Sequence, residues 1–76
     1  MAEKSYGQKA VGMDFNPSGD ANVRLVKEAY AEVIDLLNDM RSTNEASAEL
    51  KRNCSLAITH AQTAQMWAVK AITWRY

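Results

Sequence analysis

Ala57, Ala61, Ala64, Ala68 and Ala71 recur at alternating steps of four and three residues, with Trp67 and Trp74 beside them. On a helix these small side chains form one narrow stripe along which a second backbone can approach closely, and the tryptophans supply bulk at its edge. The last third of the chain is therefore expected to be a helix whose small-residue face is in contact with something else. At 76 residues the chain is one domain that buries only about 60% of its unfolded surface, so an isolated fold has little stability to spare.

Upstream, Val23, Val26, Tyr30, Val33, Leu37 and Met40 also follow one another at steps of three and four, the pattern of a helix with an apolar seam. Leu25, Ala29, Ile34 and Leu36 widen that seam past a single stripe, and a helix apolar on more than one side needs more than one neighbour. This helix is expected to start near Ala21, capped by Asp20 or Ser18. The polar run Arg41-Ser42-Thr43-Asn44-Glu45 ends it, and Thr43 or Asn44 is placed to cap a second helix over about 46 to 73, roughly 40 Å long at 1.5 Å per residue. All three glycines and the single proline fall in residues 1–20, with turn formers dense from Asp14 to Asp20.

The expected fold is all-α. Residues 1–20 form an extended N-terminal arm and turn, and residues 21–76 a two-helix hairpin within a single domain. A lone hairpin cannot cover two apolar faces, so a compact, symmetric homo-oligomer is the economical solution, with Ala57, Ala61, Ala64, Trp67 and Ala68 at its interface. The alternative is a three-helix monomer in which residues 3–12 form the third helix, against which Gly7 and Gly12 weigh.

Catalytic and metal chemistry find little support. Nine basic side chains balance nine acidic ones, which excludes the one-signed field of a general DNA-binding protein. No stretch approaches the ~20 apolar residues of a membrane span and the N-terminus lacks a signal-peptide core, so a soluble intracellular protein is expected. Cys54 reads as a small buried apolar residue, and His60 as a half-exposed helix residue with a polar partner. The two lie roughly 240° apart around one helix, too far for a dyad within the chain. One cysteine and one histidine fall short of any metal site. Glu28, Glu32, Asp35 and Asp39, at helical spacing, read as a solvated face rather than an acid/base pair. No catalytic residue, metal or cofactor is expected.

A site for a small phosphorylated ligand needs cations for phosphate and flat surfaces for bases. Phe15 and Tyr6 in the arm, Lys27 and Arg24 in the first turns of the first helix, and Ser18 with the free amides near Ala21 to Val23 have that chemistry. The same residues fit a plainer account, with Phe15 pinning the arm to the core and Lys27 a surface lysine.

The run Ser55-Leu56-Ala57-Ile58-Thr59-His60-Ala61-Gln62-Thr63-Ala64-Gln65-Met66-Trp67-Ala68-Val69-Lys70-Ala71-Ile72 resembles the second helix of the small phage anti-CBASS sponges, which share a helical hairpin with the anti-Thoeris sponges. Leu25-Val26-Lys27 with Leu36-Leu37-Asn38-Asp39 resembles their first helix, and Phe15-Asn16-Pro17 the preceding arm. The similarity spans about residues 14–74. It implies a binding protein without enzymatic activity, acting in the host cytoplasm. Such proteins sequester cyclic dinucleotides, and in some members cyclic trinucleotides, without cleaving them, and so keep the CBASS effector inactive. Members assemble typically as homohexamers with ligand pockets between subunits. An arm aromatic stacks on a base and a first-helix lysine meets the phosphates, roles that fall by position to Phe15 and Lys27. The stacking residue of the family is usually tyrosine, a few residues farther from the lysine, which keeps Tyr6 as a second candidate. Outside the resemblance, two other functions fit the same residues. One is a helical interaction module docking on a host protein, the other a structural oligomerisation module.

Overall fold

The computed structural model describes residues 3–75. It contains three helices, α1 (Tyr6–Ala10), α2 (Ala21–Arg41) and α3 (Ala48–Ile72), and no strand among the described residues. Residues 1, 2 and 76, included in the expected arm and hairpin, lie outside them. Helices α2 and α3 run antiparallel and pack along their length, and α1 lies across α2.

The arm is not extended. A capping box starts α1, with Gln8 N–H donating to Ser5 Oγ at 3.1 Å and Ser5 N–H to Gln8 Oε1 at 2.8 Å. Gly12, at φ 63°, ends it in a left-handed turn that points Met13 N–H back to Gln8 O at 3.0 Å. The expectation failed because Gly7 was counted as a helix breaker. Its missing side chain lets α1 lie directly on the backbone of α2 at Ala31, where Gly7 N–H donates to Asp35 Oδ1 at 2.6 Å. Asp35 is therefore not part of a solvated acidic face. The short third helix of the alternative is present, as five residues.

Helix α2 begins at Ala21 as expected, with Asp20 Oδ1 accepting from Asn22 N–H at 2.8 Å. Helix α3 starts at Ala48 rather than near 46, and its cap is Ser47 rather than Thr43 or Asn44. Thr43 instead continues the turn that leaves α2, its hydroxyl donating to Met40 O at 3.3 Å and its carbonyl accepting from Ala46 N–H at 3.3 Å.

Val11 and Met13 from the arm join Ala31 and Ile34 of α2 and Ile58 of α3 in one buried cluster, with Tyr30, Leu37 and Ala61 packed against it. Cys54 is buried, as expected for a small apolar residue. His60 is exposed and its ring makes no hydrogen bond among the described residues, in place of the half-exposed, partnered residue expected.

The chain forms a slab 46 × 32 × 12 Å, in which each long helix has only one covered side. Of the alanine stripe, Ala61 reaches the core and Ala68 is half-buried, while Ala57, Ala64 and Ala71 stay exposed. Trp67 and Trp74 are exposed too, with the Lys70 ammonium 4.9 Å and 5.9 Å from their ring centres. On α2, Leu25, Val33, Leu36 and Met40 form a second exposed apolar stripe at steps of eight, three and four, opposite the core-facing Val23, Lys27, Ala31 and Ile34.

Candidate functional site

A groove of about 930 Å³ opens between the end of α1, the turn that follows it, the first turns of α2 and the C-terminal half of α3. Its wall is largely apolar, with Phe15 and Pro17 on the arm side and Met66 and Val69 on α3. An apolar cleft with a few polar groups is the general form of a small-molecule site.

Lys27 organises the arm side of this groove. Its side chain runs inward from α2 and is only 4% exposed. The ammonium donates to Gly12 O at 2.9 Å and to Phe15 O, which are the two ends of the turn after α1. It also stands 5.6 Å from the centre of the Phe15 ring. The positive φ of Gly12 turns the chain toward the lysine, and the buried charge is met by two carbonyl dipoles rather than by a carboxylate. Lys27 is thus not a surface lysine. Nor is Phe15 a pin into the core, since its ring is 73% exposed and stands as an open platform at the groove.

The turn into α2 is fixed by its own hydrogen bonds. Ser18 Oγ donates to Asn16 Oδ1 at 2.8 Å and accepts from Asp20 N–H at 3.2 Å, and Asn16 Nδ2 donates to Asp20 O at 3.0 Å. Farther back, Lys4 Nζ pairs with Asp14 Oδ2 at 2.6 Å. That hydrogen bond and the charge behind it hold the Asp14 carboxyl below its ordinary pKa. This exposed tie is present at neutral pH and fades as the pH falls through the lowered Asp14 value.

The structure brings Phe15, Lys27 and Ser18 together at the groove and leaves Tyr6 and Arg24 outside it. The Arg41 guanidinium lies 5.3 Å from the centre of the Tyr6 ring. Arg24 pairs with Glu28 at 2.9 Å beside a smaller depression lined also by Asp35. In their place the groove contains Lys9, Gln62 and Gln65, none of which the sequence singled out. Lys9 went unnoticed because it lies on α1, where no helix was expected. It is exposed, and so adds a mobile cation to the rim.

Among the described residues no group of three His, Cys, Asp or Glu is placed to hold a metal ion. No helix is long and apolar enough to cross a membrane. Carboxylates are absent from the groove lining, so its charged groups favour an anion: Lys9 and Lys27 line an apolar, aromatic-edged cleft. Phosphate groups and nucleobases fit both halves of that description.

No curated protein and no solved structure matches the chain. The family model described as Acb2/Tad1, hairpin domain, matches residues 8–73, which takes in α2, α3, the turn with Phe15 and most of α1. The chain belongs to the Acb2/Tad1 hairpin-domain family.

Proposed function

We propose that this protein is an anti-defence sponge that binds cyclic dinucleotides, and in a second mode cyclic trinucleotides, in the host cytoplasm and holds them uncleaved, so that the CBASS effector is not activated. The observation that carries this reading is the pairing of an exposed Phe15 ring with the inward-reaching Lys27 at the mouth of a carboxylate-free groove. A base stacks on Phe15, and the phosphates meet the Lys9 and Lys27 charges. Stacking contributes about 1 to 3 kcal/mol per base. Tyr6 and Arg24 would act only from a neighbouring subunit.

A sponge must outcompete an effector, which calls for nanomolar affinity, about 12 kcal/mol of binding free energy. The groove of one chain is too open for that. A second copy of the chain closes it, and the same association covers the exposed alanine stripe and its tryptophans. A homohexamer built on these faces supports fold and function together. Ala64→Leu, which forces bulk into the close helix contact, is expected to break the oligomer and ligand binding together. Sizing chromatography returning an unchanged oligomer would remove Ala64 from the interface.

Thermal unfolding with and without cyclic di- and trinucleotides at ~100 µM tests the function itself. A ligand at a thousand times its dissociation constant adds about 4 kcal/mol of stability. The expected result is a raised midpoint with the ligand recovered intact. A degraded ligand would make the protein a nuclease, and an unmoved midpoint with every ligand would turn attention to a protein partner.

A further inference from the structure

Most polar side chains that line the groove are already engaged. Thr59, Thr63 and Thr73 donate to the carbonyls one turn back on α3, at 3.1 Å, 3.2 Å and 2.8 Å. Gln62 Nε2 reaches Ala10 O at 3.5 Å, and Asn16 is held within its own turn. Gln65 is different. It sits on the core-facing side of α3, in phase with Cys54 and Ile58, and is 6% exposed, yet its amide makes no hydrogen bond among the described residues. No buried polar side-chain atom is sealed off without a partner, so the amide keeps its remaining exposure through the groove that it lines.

Burying an amide without a partner costs stability, and an apolar residue of the same volume would fill this position at no such cost. The arrangement is a donor and an acceptor held side by side by core packing and left open toward one cleft. Charges for phosphate and a ring for stacking are supplied elsewhere in the same cleft, by Lys9, Lys27 and Phe15. What they leave unread is the hydrogen-bonding edge of the base. We infer that Gln65 is the specificity-determining residue of the groove, reading the base edge of the bound cyclic dinucleotide; this rests on the sponge reading above. A carboxamide matches adenine on both of its edges, giving a hydrogen bond to N1 or N7 and taking one from the N6 amino group. Guanine matches it along N1 and O6 or along N2 and N3, but not along its N7–O6 edge, which presents two acceptors.

The chemistry specifies the test. Gln65→Glu keeps the shape and, measured at a pH high enough to ionise the buried carboxyl, presents acceptors alone, which suit the paired N1–H and N2–H donors of guanine and repel the ring nitrogens of adenine. Its added negative charge weakens any phosphate-bearing ligand alike, so the ratio of affinities is the readout. Calorimetry of cyclic di-AMP and cyclic di-GMP is expected to show that ratio shifting about tenfold or more toward cyclic di-GMP, against the wild-type protein. Gln65→Met, which keeps the volume and removes the amide, is expected to lose at least tenfold in affinity for the preferred ligand while its unfolding midpoint without ligand stays level or rises. A residue that merely packs would move neither the ratio nor the affinity in this way. A ratio within twofold of wild type overturns the assignment of Gln65, with the sponge reading intact. A wild-type protein that takes up neither ligand overturns the assignment of Gln65, and one that takes up no cyclic di- or trinucleotide overturns the sponge reading as well.

Discussion

Gly7→Ala is expected to detach α1 from α2 and to lower the unfolding midpoint by on the order of 10 °C or more. A Cβ built at Gly7 runs into the Ala31 carbonyl, 2.9 Å from its carbon, and comes 2.8 Å from Asp35 Oδ1. The obstacle is helix backbone, which cannot rotate away as a side-chain tip can. Overpacking of this kind costs about 1 to 3 kcal/mol or more, and each kcal/mol moves the midpoint of a domain this small by about 4 to 8 °C. Alanine would raise helix propensity at the same position by about 1 kcal/mol, so propensity and packing oppose each other, and packing is the larger. The separation also breaks the Gly7 to Asp35 hydrogen bond and draws Val11 and Met13 from the core. Thermal unfolding by circular dichroism at fixed protein concentration measures it. Gly19→Ala is the control: its φ of 69° carries a backbone penalty, but nothing lies within 4 Å of an added Cβ. Equal midpoints for the Gly7 variant and the wild type would refute the close-contact account.

The second large effect is expected at Lys27. Lys27→Met keeps the apolar stem that passes through the core and removes the ammonium that holds the carbonyls of Gly12 and Phe15. Hydrogen bonds to charged groups contribute about 1.5 to 3 kcal/mol each, so the turn after α1 should lose its anchor. Amide exchange at Met13 and Phe15, whose N–H groups close that turn, is expected to speed up by at least tenfold, while the central turns of α3 stay protected. On the proposed function, cyclic dinucleotide affinity falls by a hundredfold or more, because the phosphate loses its buried charge and Phe15 loses its position. Unchanged exchange in the arm would show that Lys27 does not hold it. Unchanged affinity with a loosened arm would remove Lys27 from the ligand site alone.

How far the sequence could be read differs between elements for physical reasons. The starts of α2 and α3 were legible to within two residues, because caps and turns are local. Asp20 was among the candidates and marks the first; Ser47 was passed over for Thr43 and Asn44, whose groups serve the preceding turn. Five residues of α1 are too few to show a period, and its glycine argues against a helix until a second backbone is put beside it. For the candidate site, Phe15, Lys27 and Ser18 were picked out by chemical type, and the structure brings them to one groove. Gln65 escaped notice because an amide within a helical apolar run looks the same whether it faces solvent or a cleft.

The sequence by itself determined that the described chain is two long helices and a turn, through the three-and-four spacing of apolar residues and the caps at their ends. It also determined that α2 is apolar on more than one side and that α3 carries a narrow small-residue stripe beside its tryptophans. Only the tertiary structure decided which side of α2 is covered, that Lys27 turns inward to hold the arm, and that Gln65 lies beneath the groove. Those outcomes depend on contacts between residues far apart in the chain. Periodicity along one helix records that a face is apolar, but not which partner meets it.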